Sequence, residues 1–158
     1  MKVVTGLLAA VLLLAGASGS QALVRIANDR GGRIGTYMDR YQELKQSGES
    51  VVIDGLCASA CTIVLHAVPH DKICVTERAA LGFHAAWDPG ARGHVVTNHE
   101  ATQMLYSWYP AQIQRWIDKR GGLTTHMLFL RGKQLAAMYR PCYMNAEASF
   151  LHSRENPN

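Results

Sequence analysis

The segment from Val51 to Pro69 limits what this chain can fold into more than any other stretch. Val51-Val-Ile53 is a β-branched run without polar alternation, the pattern of a strand buried on both faces. It passes through Asp54-Gly55 into a series of small residues, Cys57-Ala-Ser59-Ala-Cys61. From Ser59 to about Val68 the sequence reads as an apolar helix that Pro69 ends. Buried strand, tight turn and apolar helix together make the unit from which layered α/β proteins are built.

Neighbouring segments extend that pattern. Leu23 to Ala27 reads as a short strand, and Asn28-Asp-Arg-Gly31-Gly32 as a turn. Ile34, Tyr37, Met38, Tyr41 and Leu44 fall at helical spacing, and Ser47-Gly48 stops that helix. Lys72–Thr76 and Ala80–Phe83 are two more strand candidates, which predicts an α/β domain with parallel crossovers. Trp87 to Gly93 reads as an open loop. Thr97-Asn-His-Glu100 fits a capping box that opens a helix running towards Trp108. Pro110 opens another at its first position, carrying Ile113, Trp116 and Ile117 and closing at Gly121-Gly122. A last helix is expected within Thr124 to Tyr139, broken at Gly132, and the polar end after Ala146 is expected to fray.

The first residues read as an export signal. Met1-Lys2 is a short positive start, Val3 to Ala17 is almost wholly apolar, and small residues offer cleavage after Ala17 or Ala22. The apolar run is shorter than the ~20 residues of a spanning helix, although an uncleaved anchor is the alternative. The expected organisation is a signal peptide at 1–22, one domain at 23–146 and a flexible tail at 147–158. A periplasmic or secreted location follows. Four cysteines (Cys57, Cys61, Cys74 and Cys142) in an exported chain favour disulfide bonds. Zinc is the rival, but Cys57-x-x-x-Cys61 has no matching second pair. Four cysteines allow three pairings; Cys61 with Cys74 and Cys57 with Cys142 is the preferred one. The net charge of +4 comes from scattered basic residues, and no basic stripe with interleaved aromatics suggests nucleic acid.

Ser59 and His84 are the candidate chemistry. The serine sits in the small-residue turn before the helix, and Leu81-Gly-Phe-His84 ends the next strand-like run. A hydroxyl on a strand-to-helix turn with an imidazole on the adjacent strand is the arrangement that activates a serine nucleophile. The other histidines make poor metal ligands: Pro69 interrupts His66 and His70, and His94 and His99 straddle a loop-to-helix boundary. Neither a metal nor a cofactor is expected.

These residues carry a resemblance. Ile26-Ala-Asn-Asp-Arg-Gly31-Gly32 resembles the strand and glycine turn of the Clp protease proteolytic subunit and the wider Clp/crotonase superfamily. Gly55-Leu-Cys-Ala-Ser59-Ala60 is similar to its nucleophile turn, and Leu81-Gly-Phe-His84 to the strand ending in its catalytic histidine, 25 residues after the serine. The likeness covers roughly residues 24–87 and is closest to exported Clp-like proteins. It implies a Clp/crotonase-like repeated ββα spiral with C-terminal helices. It also implies Ser59 and His84 as catalytic residues, and the amides of Gly32 and Ala60 as an oxyanion hole. The substrate it implies is a peptide or unfolded protein. Self-association into an oligomer is implied as well, through the helix and loop after His84, where the apolar helices around Met104 to Ile117 leave surplus hydrophobic surface.

The chain departs from that pattern. Counting on from Gly121-Gly122 to the family's third residue, an aspartate, lands near Leu130, Arg131 and Gly132, and no aspartate follows Asp118. Asp88, Glu100 and Asp118 are the candidate substitutes. Ala60 replaces the usual methionine. The leading expectation is an exported serine peptidase acting through a Ser59–His84 dyad. Its rival is a catalytically silent binding or scaffold protein on the same fold. Crotonase-like thioester chemistry and a Ser–Lys dyad using Lys72 or Lys119 are weaker readings.

Overall fold

A computed structural model describes residues 23–142; the expected signal segment at 1–22 and tail at 147–158 lie outside them. Strand β1 (Leu23–Asp29) leads to helix α1 (Ile34–Ser47), and strand β2 (Ser50–Ala58) follows. A 3₁₀ turn (Ser59–Ile63) continues into the short helix α2 (Val64–Ala67), and then come β3 (Ile73–Val75) and β4 (Ala80–Phe83). A two-stranded arm, β5 (Trp87–Pro89) and β6 (Val95–Thr97), precedes α3 (His99–Trp108) and α4 (Ala111–Asp118). The described chain ends with β7 (Leu128–Arg131), α5 (Gly132–Ala136) and β8 (Arg140–Pro141).

β2 organises the main six-stranded sheet. β1 runs parallel along one edge of it, from Leu23 opposite Ser50 to Asp29 opposite Cys57. The other edge is shared: β3 pairs with Val51–Ile53, and β4 pairs with Leu56–Ala58. The sheet therefore forks at Asp54-Gly55. A Cβ at Gly55 would lie 1.8 Å from the Ala27 carbonyl oxygen, where β1 bulges, so only glycine fits this crossing. The buried Asp54 carboxylate pins the fork. It accepts hydrogen bonds from Thr76 Oγ1 at 2.7 Å, Arg78 Nη2 at 2.5 Å and Arg25 Nε at 2.6 Å. The Arg78, Thr76 and Arg25 donors hold its pKa far below the usual carboxylate range, against the opposing effect of burial. Tyr41 and Leu44 of α1, Val64 and Leu65 of α2, and Ile113, Trp116 and Ile117 of α4 close the core over the sheet.

Three expected elements differ. Residues 87–93, read as an open loop, begin a hairpin, because β-branched Val95-Val-Thr97 pairs back on Trp87–Pro89 and Gly90 N donates to His94 O at 2.7 Å. The helix expected within 124–139 is mostly absent. Leu128–Arg131 pairs antiparallel with the open edge of β4, burying Leu130, and only Gly132–Ala136 is helical. The cap of α3 is Asn98 rather than Thr97: Asn98 Oδ1 accepts from Ala101 N at 2.8 Å.

The cysteine pairing also differs from the preferred one. The bonds are Cys57–Cys61 and Cys74–Cys142, with Cα separations of 5.3 and 4.9 Å. Cys74 lies opposite Val52 on β2. Five residues of strand, roughly 16 Å, separate that position from Cys57, beyond any bridge to the Ser59 turn. β8 instead returns the chain beside Cys74. Two disulfides fit an oxidising compartment. Among the described residues no helix is long and apolar enough to cross a membrane.

Candidate active site

Ser59 stands where β2 turns into the 3₁₀ turn. Ala58 is extended (φ −120°, ψ 158°), and Ser59 switches to φ +56°. For a residue with a Cβ that left-handed conformation costs about 1–2 kcal/mol, and it lifts the hydroxyl out of the strand. Small neighbours make the elbow possible. A Cβ on Gly31 would lie 2.6 Å from Ser59 Cβ and 2.8 Å from Ala60 N, and Gly31 itself has φ +82°. Gly31 is thus the close-approach glycine of the pair, and Gly32, exposed, follows it. Asp29 shapes this turn: its carboxylate accepts from Gly31 N at 2.9 Å, from the Tyr37 hydroxyl and from Arg40 Nη1 at 3.3 Å. Burial and the Asp29 contact push the Tyr37 phenol up to about 12, so it remains a donor.

Strand register brings the second residue in. Ala58 pairs with Gly82, so residues just past each strand end meet. His84 Nε2 lies 2.8 Å from Ser59 Oγ, and His84 Nδ1 lies 2.7 Å from the Ala85 carbonyl oxygen. A carbonyl oxygen only accepts, so in the neutral ring the proton sits on Nδ1. Nε2 then holds the free lone pair and accepts from the serine hydroxyl. The backbone presenting that carbonyl is itself fixed. Ala85 N donates to Thr124 O at 2.7 Å, and Ala86 N donates to Thr102 Oγ1 at 2.9 Å. Both Ser59 and His84 are half-buried, open enough for a ligand to reach.

None of the expected substitute acids is bonded to the histidine. Asp88 accepts from Asn98 Nδ2 at 2.8 Å, Asp118 accepts from the Tyr106 hydroxyl at 2.8 Å, and Glu100 sits exposed in the first turn of α3. The position counted for the family acid falls on β7 and the start of α5. Lys72 donates to Gly48 O at 2.7 Å, at the end of β2 remote from Ser59. His66 stacks on Trp108 and His70 on Tyr139. Among the described residues no three His, Cys, Asp or Glu side chains come together to hold a metal.

Two residues that the sequence did not single out hold the elbow from behind. Thr62 Oγ1 donates to the Ser59 carbonyl at 2.7 Å and lies 2.8 Å from the Tyr109 hydroxyl. With its own proton committed, Thr62 accepts from Tyr109. Burial raises the Tyr109 phenol to about 12, which keeps it protonated. Tyr109 meets Phe83 of β4 edge to face, with ring centroids 5.1 Å apart, so one side chain touches both halves of the site. Thr62 had a local signal, three residues after Ser59 in the same turn. Tyr109 had none.

No family model matches the chain, and no curated protein matches it. Solved structures do. A mutant of the membrane-bound stomatin-specific protease 1510-N superposes with a TM-score of 0.54 at 15% identity, covering 83% of this chain and 69% of that one. At that identity the likeness is one of fold: this chain is a small mixed α/β domain whose fold is similar to that structure's.

Proposed function

We propose that the protein is an exported Clp-like serine hydrolase, a peptidase acting through Ser59 and His84 on a Clp/crotonase-like spiral. The observation that carries this reading is the 2.8 Å contact of His84 Nε2 with the hydroxyl of a serine held at positive φ. Ser59 Oγ attacks a substrate carbonyl while His84 Nε2 takes its proton, and the imidazolium later gives that proton to the leaving amine. Gly32 N and Ala60 N would receive the oxyanion. Ala60 supports this role by its place, because the first amides of a helical turn have no acceptor within the turn. Each such donor contributes ~3–4 kcal/mol in the transition state.

Among the described residues no acid is bonded to His84, and the Ala85 carbonyl takes that place. It sets the same tautomer, so the penalty of a wrongly protonated ring does not arise. It carries no full charge, however, and a hydrogen bond to a charged group is worth about 1–1.5 kcal/mol more than a neutral one. The expected deficit against a carboxylate triad is therefore about 10-fold in rate. That no carboxylate among the described residues backs His84 is also what favours the second reading, a silent binding protein. Hydrolysis of unfolded casein and of p-nitrophenyl acetate by the oxidised protein separates the two. Turnover lost in Ser59→Ala supports the hydrolase, and equal rates for both proteins would leave the binding role.

A further inference from the structure

We propose that the Cys57–Cys61 disulfide is a positioning element for the Ser59 nucleophile, so that hydrolysis requires these two thiols to be oxidised; this rests on the hydrolase reading above. The bridge spans only four positions, with Ser59 at its midpoint. Each end is anchored to a different part of the fold. Cys57 lies within β2, between Asp29 of β1 and Leu81 of β4. Cys61 lies in the 3₁₀ turn, where its carbonyl accepts from the Tyr41 hydroxyl of α1 at 3.0 Å. Both cysteines are fully buried.

Between the anchors the backbone makes one unusual move, the positive φ of Ser59. The alternative for that residue is the ordinary right-handed region, open to every residue with a Cβ. The side-chain hydrogen bonds that oppose that relaxation are single ones, Thr62 on the Ser59 carbonyl and His84 on its hydroxyl. Two flanking alanines offer no side-chain contacts of their own beyond methyl packing. The covalent tie between Cys57 and Cys61 adds a limit on how far the two ends of the Ala58-Ser59-Ala60 turn can shift if Ser59 relaxes. A strand leading into a helix needs no such tie to fold, since β2 and the turn are already secured by sheet pairing and burial. The other bridge, Cys74–Cys142, joins β3 to the end of β8 and lies along β2 from the fork away from Ser59. It is the natural control.

Reduction with dithiothreitol would move two electrons and two protons onto the Cys57 and Cys61 sulfurs, and the reductant would close to its own disulfide. The test compares Cys57→Ala/Cys61→Ala and the bulkier Cys57→Val/Cys61→Ala with Cys74→Ala/Cys142→Ala, each melted first and assayed where it is folded. The expected result for the first two is a loss of about 10²-fold in kcat, the scale of a sub-ångström to ångström misplacement, with KM within about twofold. The control keeps its kcat. Nitrogen-15 spectra of the His84 ring read the same geometry without turnover: the signature of Nε2 accepting from Ser59 is lost in the first two and kept in the control. Wild-type kcat and an unchanged His84 signature in the bridge-free variants would overturn the proposal. So would equal losses in all three variants, which would make both bridges merely structural. An inert wild type whose His84 signature still depends on Cys57–Cys61 would refute the hydrolase reading and the claim on kcat, while leaving the geometric role established.

Discussion

Replacing Thr62 by valine should reverse the sign of a second substitution at Tyr109. Thr62 is 0% exposed and Tyr109 5% exposed, so water cannot stand in for a lost partner. Valine keeps the volume of threonine but orphans the Tyr109 hydroxyl and removes one donor to the Ser59 carbonyl, which still accepts within its 3₁₀ turn. At about 1–3 kcal/mol for the buried hydroxyl left unpaired and about 1 kcal/mol for the other lost hydrogen bond, Thr62→Val should cost about 2–4 kcal/mol. Tyr109→Phe alone removes one neutral hydrogen bond, at about 1 kcal/mol, because Thr62 still has the Ser59 carbonyl to donate to. In the valine background the same change deletes an orphan, and should return about 1 kcal/mol. The coupling is then about 2 kcal/mol, within the range for residues in one network. Urea unfolding with both disulfides intact measures it, provided that m is constant across the four proteins. An equal cost of Tyr109→Phe in both backgrounds would refute the relay.

Other expectations follow from the same contacts. Gly31→Ala places a Cβ 2.5 Å from the Ala58 carbonyl at φ +82°, and should destabilise by more than about 3 kcal/mol; Gly35→Ala, with nothing within 4 Å and a helical position, should stabilise by about 0.5–1 kcal/mol in the same melts. The Asp54 carboxyl is held below its unfolded value, so its contribution is complete above about pH 4 and is lost as pH falls further towards its folded value. Thermal melts should therefore drop in Tm below pH 4, and Asp54→Asn should flatten that drop. Loop entropy gives about 2 kcal/mol for the bridge of separation 4 and about 4 kcal/mol for the bridge of separation 68. Denaturation should thus rank Cys74–Cys142 as the stronger staple, the reverse of the order expected for activity.

What the sequence made legible follows the range of the interactions involved. β2, the elbow and α1 were readable because a β-branched run, small residues and a helical stripe are local signals. Ser59 with His84 was readable because parallel pairing of β2 and β4 is set by neighbouring elements. β7 was not, since Leu128-Phe-Leu130 becomes a strand only when the open edge of β4 is present to pair with it. The Ala85 carbonyl was invisible because every residue has one, and only the fold shows which carbonyl faces an imidazole. Tyr109 acts across 47 positions. The disulfide pairing failed for a related reason: the fork at Asp54-Gly55 places Cys74 and Cys57 far apart along β2, and no local pattern announces a fork.

Mass-spectrometric mapping of a fluorophosphonate adduct tests the nucleophile most directly. A single modified site, Ser59, is expected in the oxidised protein, with labelling abolished in Ser59→Ala and strongly slowed in His84→Ala. A folded protein that stays unlabelled, or carries its adduct on another residue, would contradict it.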